Sequence, residues 1–311
     1  MIAFIFPGQG AQAVGMGRAL ADQFPVCRAV FDEADRALGE PLSSLIFDGP
    51  AETLTLTEHA QPAILTASIA AWRLLDERGL RPAFVAGHSL GEYSAHVAAG
   101  TLAFGDSVRL VRNRGRYMQE AVPVGEGAMS AILGLDEGGV AQACLEAAQG
   151  DVVSPANLNA PGQIVIAGSS AAVARAGECA KALGAKRVIP LKVSAPFHCG
   201  LMTPAQDRLA PELRAVAARD PRVPVIANVD AAPRTTVAGC IEALIAQVSS
   251  PVRWEDCVKR LASEGVTTYV EVGPGTVLSG LVKKIARDAT VFNLQTPDDL
   301  AALEAGVSSH S

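Results

Sequence analysis

Five short, largely apolar runs punctuate the chain: 2–6, 83–86, 224–229, 267–272 and 290–294. Apolarity that is continuous rather than alternating suits strands covered on both faces, as in a parallel sheet. Between these runs, apolar positions recur at helical spacing over 61–78, 90–99, 106–120, 200–218 and 252–264. Strands that alternate with helices predict an α/β core.

The pattern changes between 123 and 193. A strand is expected over 128–135, an amphipathic helix over 137–149, and two strands over 151–158 and 163–168, joined around Asn159-Ala160-Pro161-Gly162. An alanine-rich helix over 170–183 and a strand over 186–193 follow. This βαββαβ order is that of a ferredoxin-like module. The expected organisation is a large discontinuous α/β domain (1–122 and 194–305), a small inserted domain (123–193) and a flexible tail (306–311).

Composition narrows the class without naming it. Of 311 residues, 49% are apolar and 19% charged, a globular balance. The net charge of −6 and the lack of a basic run argue against a nucleic-acid partner. The opening Met1-Ile2-Ala3-Phe4-Ile5-Phe6 breaks at Pro7, so it reads as neither a signal peptide nor a membrane span. Six cysteines without C-x-x-C spacing or a histidine-bearing ligand cluster read as reduced thiols in a cytoplasmic protein with no metal.

The candidate chemistry begins at Gly87-His88-Ser89-Leu90-Gly91, a G-x-S-x-G between a predicted strand and a predicted helix. That setting is a nucleophile elbow of the α/β-hydrolase type, which turns the chain sharply and exposes the serine hydroxyl. The helix N-terminus beside Ser89 favours a developing oxyanion.

A serine nucleophile needs a general base, and five histidines are available. His88 neighbours Ser89 and points to the other side, where it can support the elbow. His96 is roughly 10 Å along the helix axis. His59 precedes a helix and reads as a cap or surface residue, and His310 lies in the tail. That leaves His198, in the loop where the chain re-enters the large domain. No carboxylate stands out as its orienting partner.

Of the arginines at 109, 112, 114 and 116, only Arg114 has all its helical neighbours (Leu110, Val111, Tyr117 and Met118) on the apolar stripe. A core-facing guanidinium needs an anion. That anion is either an internal carboxylate or a substrate carboxylate, and the helix alone leaves both open.

Seven segments then fall in an order similar to that of the malonyl-CoA:acyl carrier protein transacylases of bacterial fatty-acid synthesis. They are Phe6 to Gln12, Gly87 to Tyr93, Arg114-Gly115 with Met118-Gln119-Glu120, Asn159 to Gln163, Pro196-Phe197-His198, Gln247 with Ser250-Pro251-Val252 and Trp254, and Glu271 to Gly275. Ala11 and Ser250 depart from residues that some members carry there, without touching a proposed role.

The resemblance implies that Ser89 is acylated by the malonyl thioester and that His198 serves as base. It implies an oxyanion hole from the N–H groups of Gln9 and Leu90, and a pairing of Arg114 with the malonyl carboxylate. It also implies that the backbone carbonyl of Gln247 orients the imidazole in place of an acid. Phe197 is expected to leave no room for an α-methyl, and Cys199 to pack beside the site. The implied partners are malonyl-CoA and a holo-acyl carrier protein. No cofactor, nucleic acid or membrane is implied, and the expected state is a monomer. The rivals are a serine hydrolase, a non-catalytic module that keeps the fold, and the transacylase subunit of a malonate decarboxylase.

Overall fold

A computed structural model describes residues 1–308. Ten strands form two sheets: β1 (Ile2–Phe6), β2 (Phe84–Gly87), β3 (Gly127–Leu133), β4 (Val153–Ala160), β5 (Gln163–Ser169), β6 (Arg187–Pro190), β7 (Val225–Ile226), β8 (Pro233–Arg234), β9 (Thr268–Val272) and β10 (Thr290–Leu294). The larger sheet has the order β10-β9-β1-β2-β7-β8 and is parallel except for β8, which runs antiparallel to β7.

The continuous apolarity of these strands has the expected cause. In β1, Phe4 and Phe6 enter one hydrophobic cluster, while Ala3 and Ile5 enter another on the opposite face. Alternate side chains leave a strand on opposite faces, so both faces demand apolar residues. The first face is covered by helices Thr57–Glu77, Leu90–Ala99 and Phe104–Glu120, and the second by Trp254–Ser263 and Val277–Ile285.

The smaller sheet, β4-β5-β3-β6, is antiparallel throughout. Helices Glu137–Ala148 and Ser170–Ala182 bury Val140, Cys144, Val173 and Ala176 against its Ile132, Ile164 and Ile166. Both helices start on a side-chain cap: Asp136 accepts from the Gly139 N–H and Ser169 from the Ala172 N–H. The other face joins the main core through Met129, Ala156 and Val165. A backbone pair, Leu158 N–H to Val252 O and Val252 N–H to Ala156 O, ties β4 to the larger unit.

Several boundaries differ from expectation, and the strand expected over 224–229 shrinks to Val225–Ile226. The helix expected from 61 begins at Thr57, with Pro62 one turn inside it instead of near its start. The strand expected over 186–193 ends at Pro190, and residues 191–193 turn into a cavity wall. The helix expected over 200–218 is a single 3-10 turn, Gly200–Met202, followed by Thr203–Ala215. The last helix runs Pro297–Ser308, so the tail expected from 306 begins inside it and otherwise lies outside the described residues.

Candidate active site

Three neighbouring parallel strands deliver the centre of the site at their carboxyl ends, where open α/β sheets place ligands. The turn after β1 carries Gln9, the turn after β2 carries Ser89, and Asn228 follows β7. Ser89 holds φ 52° and ψ −108°, a costly backbone conformation for a residue with a Cβ. Its surroundings enforce that turn. The His88 N–H donates to Phe6 O at 3.0 Å, and the Ser89 N–H donates to Asn228 Oδ1 at 2.7 Å. The Asn228 amide in turn donates to Gly87 O at 2.7 Å. Gly87 and Gly91 are required by closeness rather than by dihedral angles. A Cβ on Gly87 would fall 1.9 Å from the Gly91 carbonyl, and one on Gly91 would fall 2.1 Å from Phe6 O.

His198 reaches Ser89 from the loop after β6. Its Nε2 lies 2.7 Å from Ser89 Oγ, and its Nδ1 lies 3.0 Å from the backbone carbonyl of Gln247. A carbonyl only accepts, so Nδ1 carries the proton and Nε2 is the lone pair facing the hydroxyl. Burial, and next the positive charge of Arg114, push the His198 pKa down to about 3. The imidazole is therefore neutral at neutral pH, with its Nε2 lone pair free to take a proton.

The other histidines separate as follows. His88 turns away from the hydroxyl and bonds Asn159 Oδ1 at 2.8 Å, bracing the elbow against β4. His96 is fully buried, and neither ring nitrogen has a partner among the described residues. His59 is neither a helix-preceding cap nor a surface residue. The early helix start places it in the first turn, half-buried. His310 lies outside the described residues.

Arg114 is 2% exposed and has no carboxylate within ion-pair distance among the described residues. Its guanidinium donates to Gln61 Oε1 at 2.7 Å, Gln247 Oε1 at 2.9 Å and Ser89 Oγ at 3.1 Å, all neutral acceptors. It also stacks 5.5 Å from the Tyr93 ring centroid. Burial pushes its pKa down, but a guanidinium stays charged across the physiological range. Of the two anions the sequence left open, an internal carboxylate is thus missing from contact range.

The nearest acid in this network is Glu92, fully buried two bonds away through Gln247. Its Oε2 accepts from Gln247 Nε2 at 2.8 Å and from the Asn228 N–H at 3.1 Å. Burial pushes the Glu92 pKa up to about 7, against the lowering effect of those hydrogen bonds.

These groups open on a cavity of about 510 Å³ between the two sheets. Gln9, Gln61, Ser89, Arg114, Phe197 and His198 line its inner part, and Met129, Asn157 and Leu191 to Val193 bring the smaller unit to its wall. Among the described residues, neither the Gln9 nor the Leu90 backbone N–H has a protein acceptor. Phe197 is 8% exposed, and Cys199 is buried with its thiol on Pro196 O. The structure therefore gathers Ser89, His198, Gln9, Leu90, Arg114, Phe197 and Gln247 around one centre. Sequence reasoning missed Gln61, Glu92, Asn228 and the side chain of Gln247. One signal was available for Asn228: a polar residue near the carboxyl end of a buried parallel strand.

The arrangement offers acyl chemistry, with a hydroxyl on a base, free N–H donors and a buried cation. Residues 3–298 match the family described as the acyl transferase domain, and the class of the protein is accordingly that of an acyltransferase. The chain is 52% identical over 301 residues to the malonyl CoA-acyl carrier protein transacylase of Salmonella typhimurium, covering 96% of this chain and 97% of that one. It is 54% identical over 300 residues to that of Bacillus subtilis, covering 96% and 95%. The crystal structure of an acyl carrier protein S-malonyltransferase from Vibrio cholerae superposes with a TM-score of 0.96 at 50% identity, covering 97% of this chain and 99% of that one. A malonyl-transacylase in complex with a type II PKS acyl-carrier protein gives 0.94 at 47% identity, covering 96% and 97%. The chain belongs to the malonyl CoA-acyl carrier protein transacylase family.

Proposed function

We propose that this protein moves the malonyl group of malonyl-CoA to the phosphopantetheine thiol of a holo-acyl carrier protein, through a malonyl ester of Ser89, to supply extender units for fatty-acid synthesis. The observation that carries this reading is Arg114: a buried guanidinium, 3.1 Å from Ser89 Oγ, whose acceptors among the described residues are all neutral. A malonyl group brings the missing carboxylate to that fork while presenting its thioester carbon to the serine.

The Ser89 hydroxyl attacks the thioester carbonyl and passes its proton to His198 Nε2. The N–H groups of Gln9 and Leu90 receive the oxyanion. Collapse breaks the C–S bond, and the departing CoA sulfur takes the proton from His198. The carrier-protein thiol then gives its proton to His198 and attacks the ester. The second collapse returns that proton to Ser89. No oxidation state changes, so the chemistry calls for no redox cofactor. The Gln247 carbonyl keeps the imidazole in the useful tautomer without an acid. Phe197 fills the space an α-methyl would need.

The same reading assigns residues 1–122 and 194–305 to one α/β-hydrolase-like catalytic domain and 123–193 to a ferredoxin-like insertion. The strand order β4-β5-β3-β6 with two helices on one face supports the latter. It also makes the protein a cytoplasmic monomer without a nucleic-acid or membrane partner. No helix among the described residues is long and apolar enough to cross a membrane.

Intact-protein mass spectrometry after mixing with malonyl-CoA is the test. The native chain should gain one malonyl group and pass it to holo-carrier protein faster than to water, and Ser89→Ala should gain none. An adduct on Ser89→Ala, or faster discharge to water, overturns the reading.

A further inference from the structure

Glu92 is a fully buried acid that the chemistry above does not use. It touches neither the hydroxyl nor the cavity, and its Oε1 has no partner among the described residues. Its other oxygen is engaged by the two amide residues that hold the site together. Gln247 Nε2 donates to Glu92 Oε2 at 2.8 Å and to the Ser89 carbonyl at 2.9 Å. The same side chain accepts from Arg114 through Oε1 at 2.9 Å. The Asn228 N–H donates to Glu92 Oε2 at 3.1 Å, and Asn228 Oδ1 receives the Ser89 N–H at 2.7 Å.

Polarity fixes the direction of this relay. An amide has one accepting and one donating end. If the Gln247 amide turned over, its NH2 would face the guanidinium, which only donates. Its carbonyl would then face Glu92 and the Ser89 carbonyl, which accept. Glu92 blocks that flip in either protonation state, because a proton on the unpartnered Oε1 leaves Oε2 free to accept. With Gln247 fixed, its Oε1 and that of Gln61 hold the two ends of the Arg114 fork, and the fork stays beside Ser89 Oγ.

We propose that Glu92 is a positioning residue for acyl-group selection: by fixing the Gln247 amide it aims Arg114 at the carboxylate of the incoming acyl group. This rests on the reading of Arg114 as the carboxylate binder. A residue that merely stabilises the fold would affect all acyl donors alike, whereas a residue that aims Arg114 affects only donors bearing a carboxylate.

The test compares kcat/KM for Ser89 acylation by malonyl-CoA and acetyl-CoA in the native protein and three variants. Glu92→Gln keeps an accepting oxygen for Gln247 and Asn228, so its malonyl-to-acetyl ratio should stay within about threefold of the native value. Glu92→Leu keeps the approximate volume but not the acceptor. Gln247→Met breaks the relay from the other end and leaves the backbone carbonyl for His198. Both should lower the ratio by about tenfold or more, as expected for a misaligned charged hydrogen bond, with the change in the malonyl-CoA KM. If Glu92→Leu does not fold, Glu92→Met, which also removes the acceptor, takes its place with the same expected loss of ratio. The proposal is overturned if either disrupting variant keeps the native ratio, if malonyl and acetyl rates fall in parallel, or if Glu92→Gln loses the ratio as fully as Glu92→Leu. A native protein that does not favour malonyl over acetyl would instead remove the reading of Arg114, and this inference with it.

Discussion

Ser89 Oγ and His198 Nε2 lie 2.7 Å apart, and among the described residues no carboxylate bonds the imidazole, so the base depends on burial and a carbonyl. A base works in its unprotonated form, above its pKa. With the His198 pKa pushed down to about 3 by burial and then by the Arg114 charge, the base remains competent well below neutrality. The rate of Ser89 acylation should therefore show no histidine inflection near pH 6.5. An inflection there that persists in Glu92→Gln, where the carboxyl titrating at about 7 is gone, would assign an ordinary exposed imidazole instead. Arg114 makes the second residue-scale case. Its fork spans Gln61 and Gln247 and still faces Ser89 Oγ. A lysine keeps the charge but lacks the planar fork. Arg114→Lys should lower malonyl loading by about tenfold to a hundredfold, the scale of a lost charge-assisted hydrogen bond, while acetyl loading holds. Steady-state kinetics with both thioesters decides it, and an unchanged malonyl rate would show that charge alone suffices.

At the scale of elements, the elbow depends on glycines that cannot grow. A Cβ on Gly91 would sit 2.1 Å from Phe6 O, and the strands on both sides prevent retreat. Gly280, in helix Val277–Ile285, has nothing within 4 Å of its virtual Cβ. Gly91→Ala should lower the melting temperature and abolish the malonyl adduct, whereas Gly280→Ala should raise stability by about 0.5–1 kcal/mol through lost unfolded-state entropy. Thermal melts of the pair check both signs. The elbow was legible because three levels agreed on it: an apolar strand, a G-x-S-x-G and a helix start. The core strands β1, β2 and β9 were legible for a similar reason, since burial on both faces leaves a largely continuous apolar run. Of the four helices between 18 and 55, three were less legible, whereas Pro25–Leu38, fourteen residues long with proline at its start, carries a readable pattern that sequence reasoning missed. Arg18–Gln23, Leu42–Asp48 and Ala51–Thr55 are five to seven residues long and carry no side-chain cap, so they give neither periodicity nor a start signal. The side chain of Gln247 and the residues Gln61 and Glu92 were illegible for a different reason, and Asn228 was marked only by its place at a strand end. Each acts through a partner distant in sequence, such as Ser89 to Asn228 across 139 positions, and amides and acids of this kind look alike along the chain.

For the molecule as a whole, buried titratable groups give stability a definite pH dependence. Burial holds His88, His96 and His198 below the ordinary histidine value, the last two at about 3. Between about pH 6.5 and the folded values, the unfolded chain binds more protons than the fold, so these groups withdraw stability as the pH falls. Glu92, pushed up to about 7, and Glu271, also raised by burial, act in the opposite sense. The fold prefers their protonated forms, so they add stability as the pH falls towards the ordinary carboxylate range. Below about pH 4.5 that compensation is complete, and the histidine loss runs unopposed. Stability should thus decline gently from neutrality and steeply below about pH 4.5. His96 isolates one contribution, because it lies outside the acylation site and neither ring nitrogen has a partner among the described residues. Replacing it by leucine removes a group that costs about 2 kcal/mol between pH 6.5 and 5, at roughly 1.4 kcal/mol per pH unit. Urea unfolding of the native protein and His96→Leu at pH 7.5 and pH 5 should show the variant losing less stability on acidification by about that amount. Equal losses in the two proteins would mean that His96 is already protonated or hydrated in the fold, and the acid sensitivity would then belong to other groups.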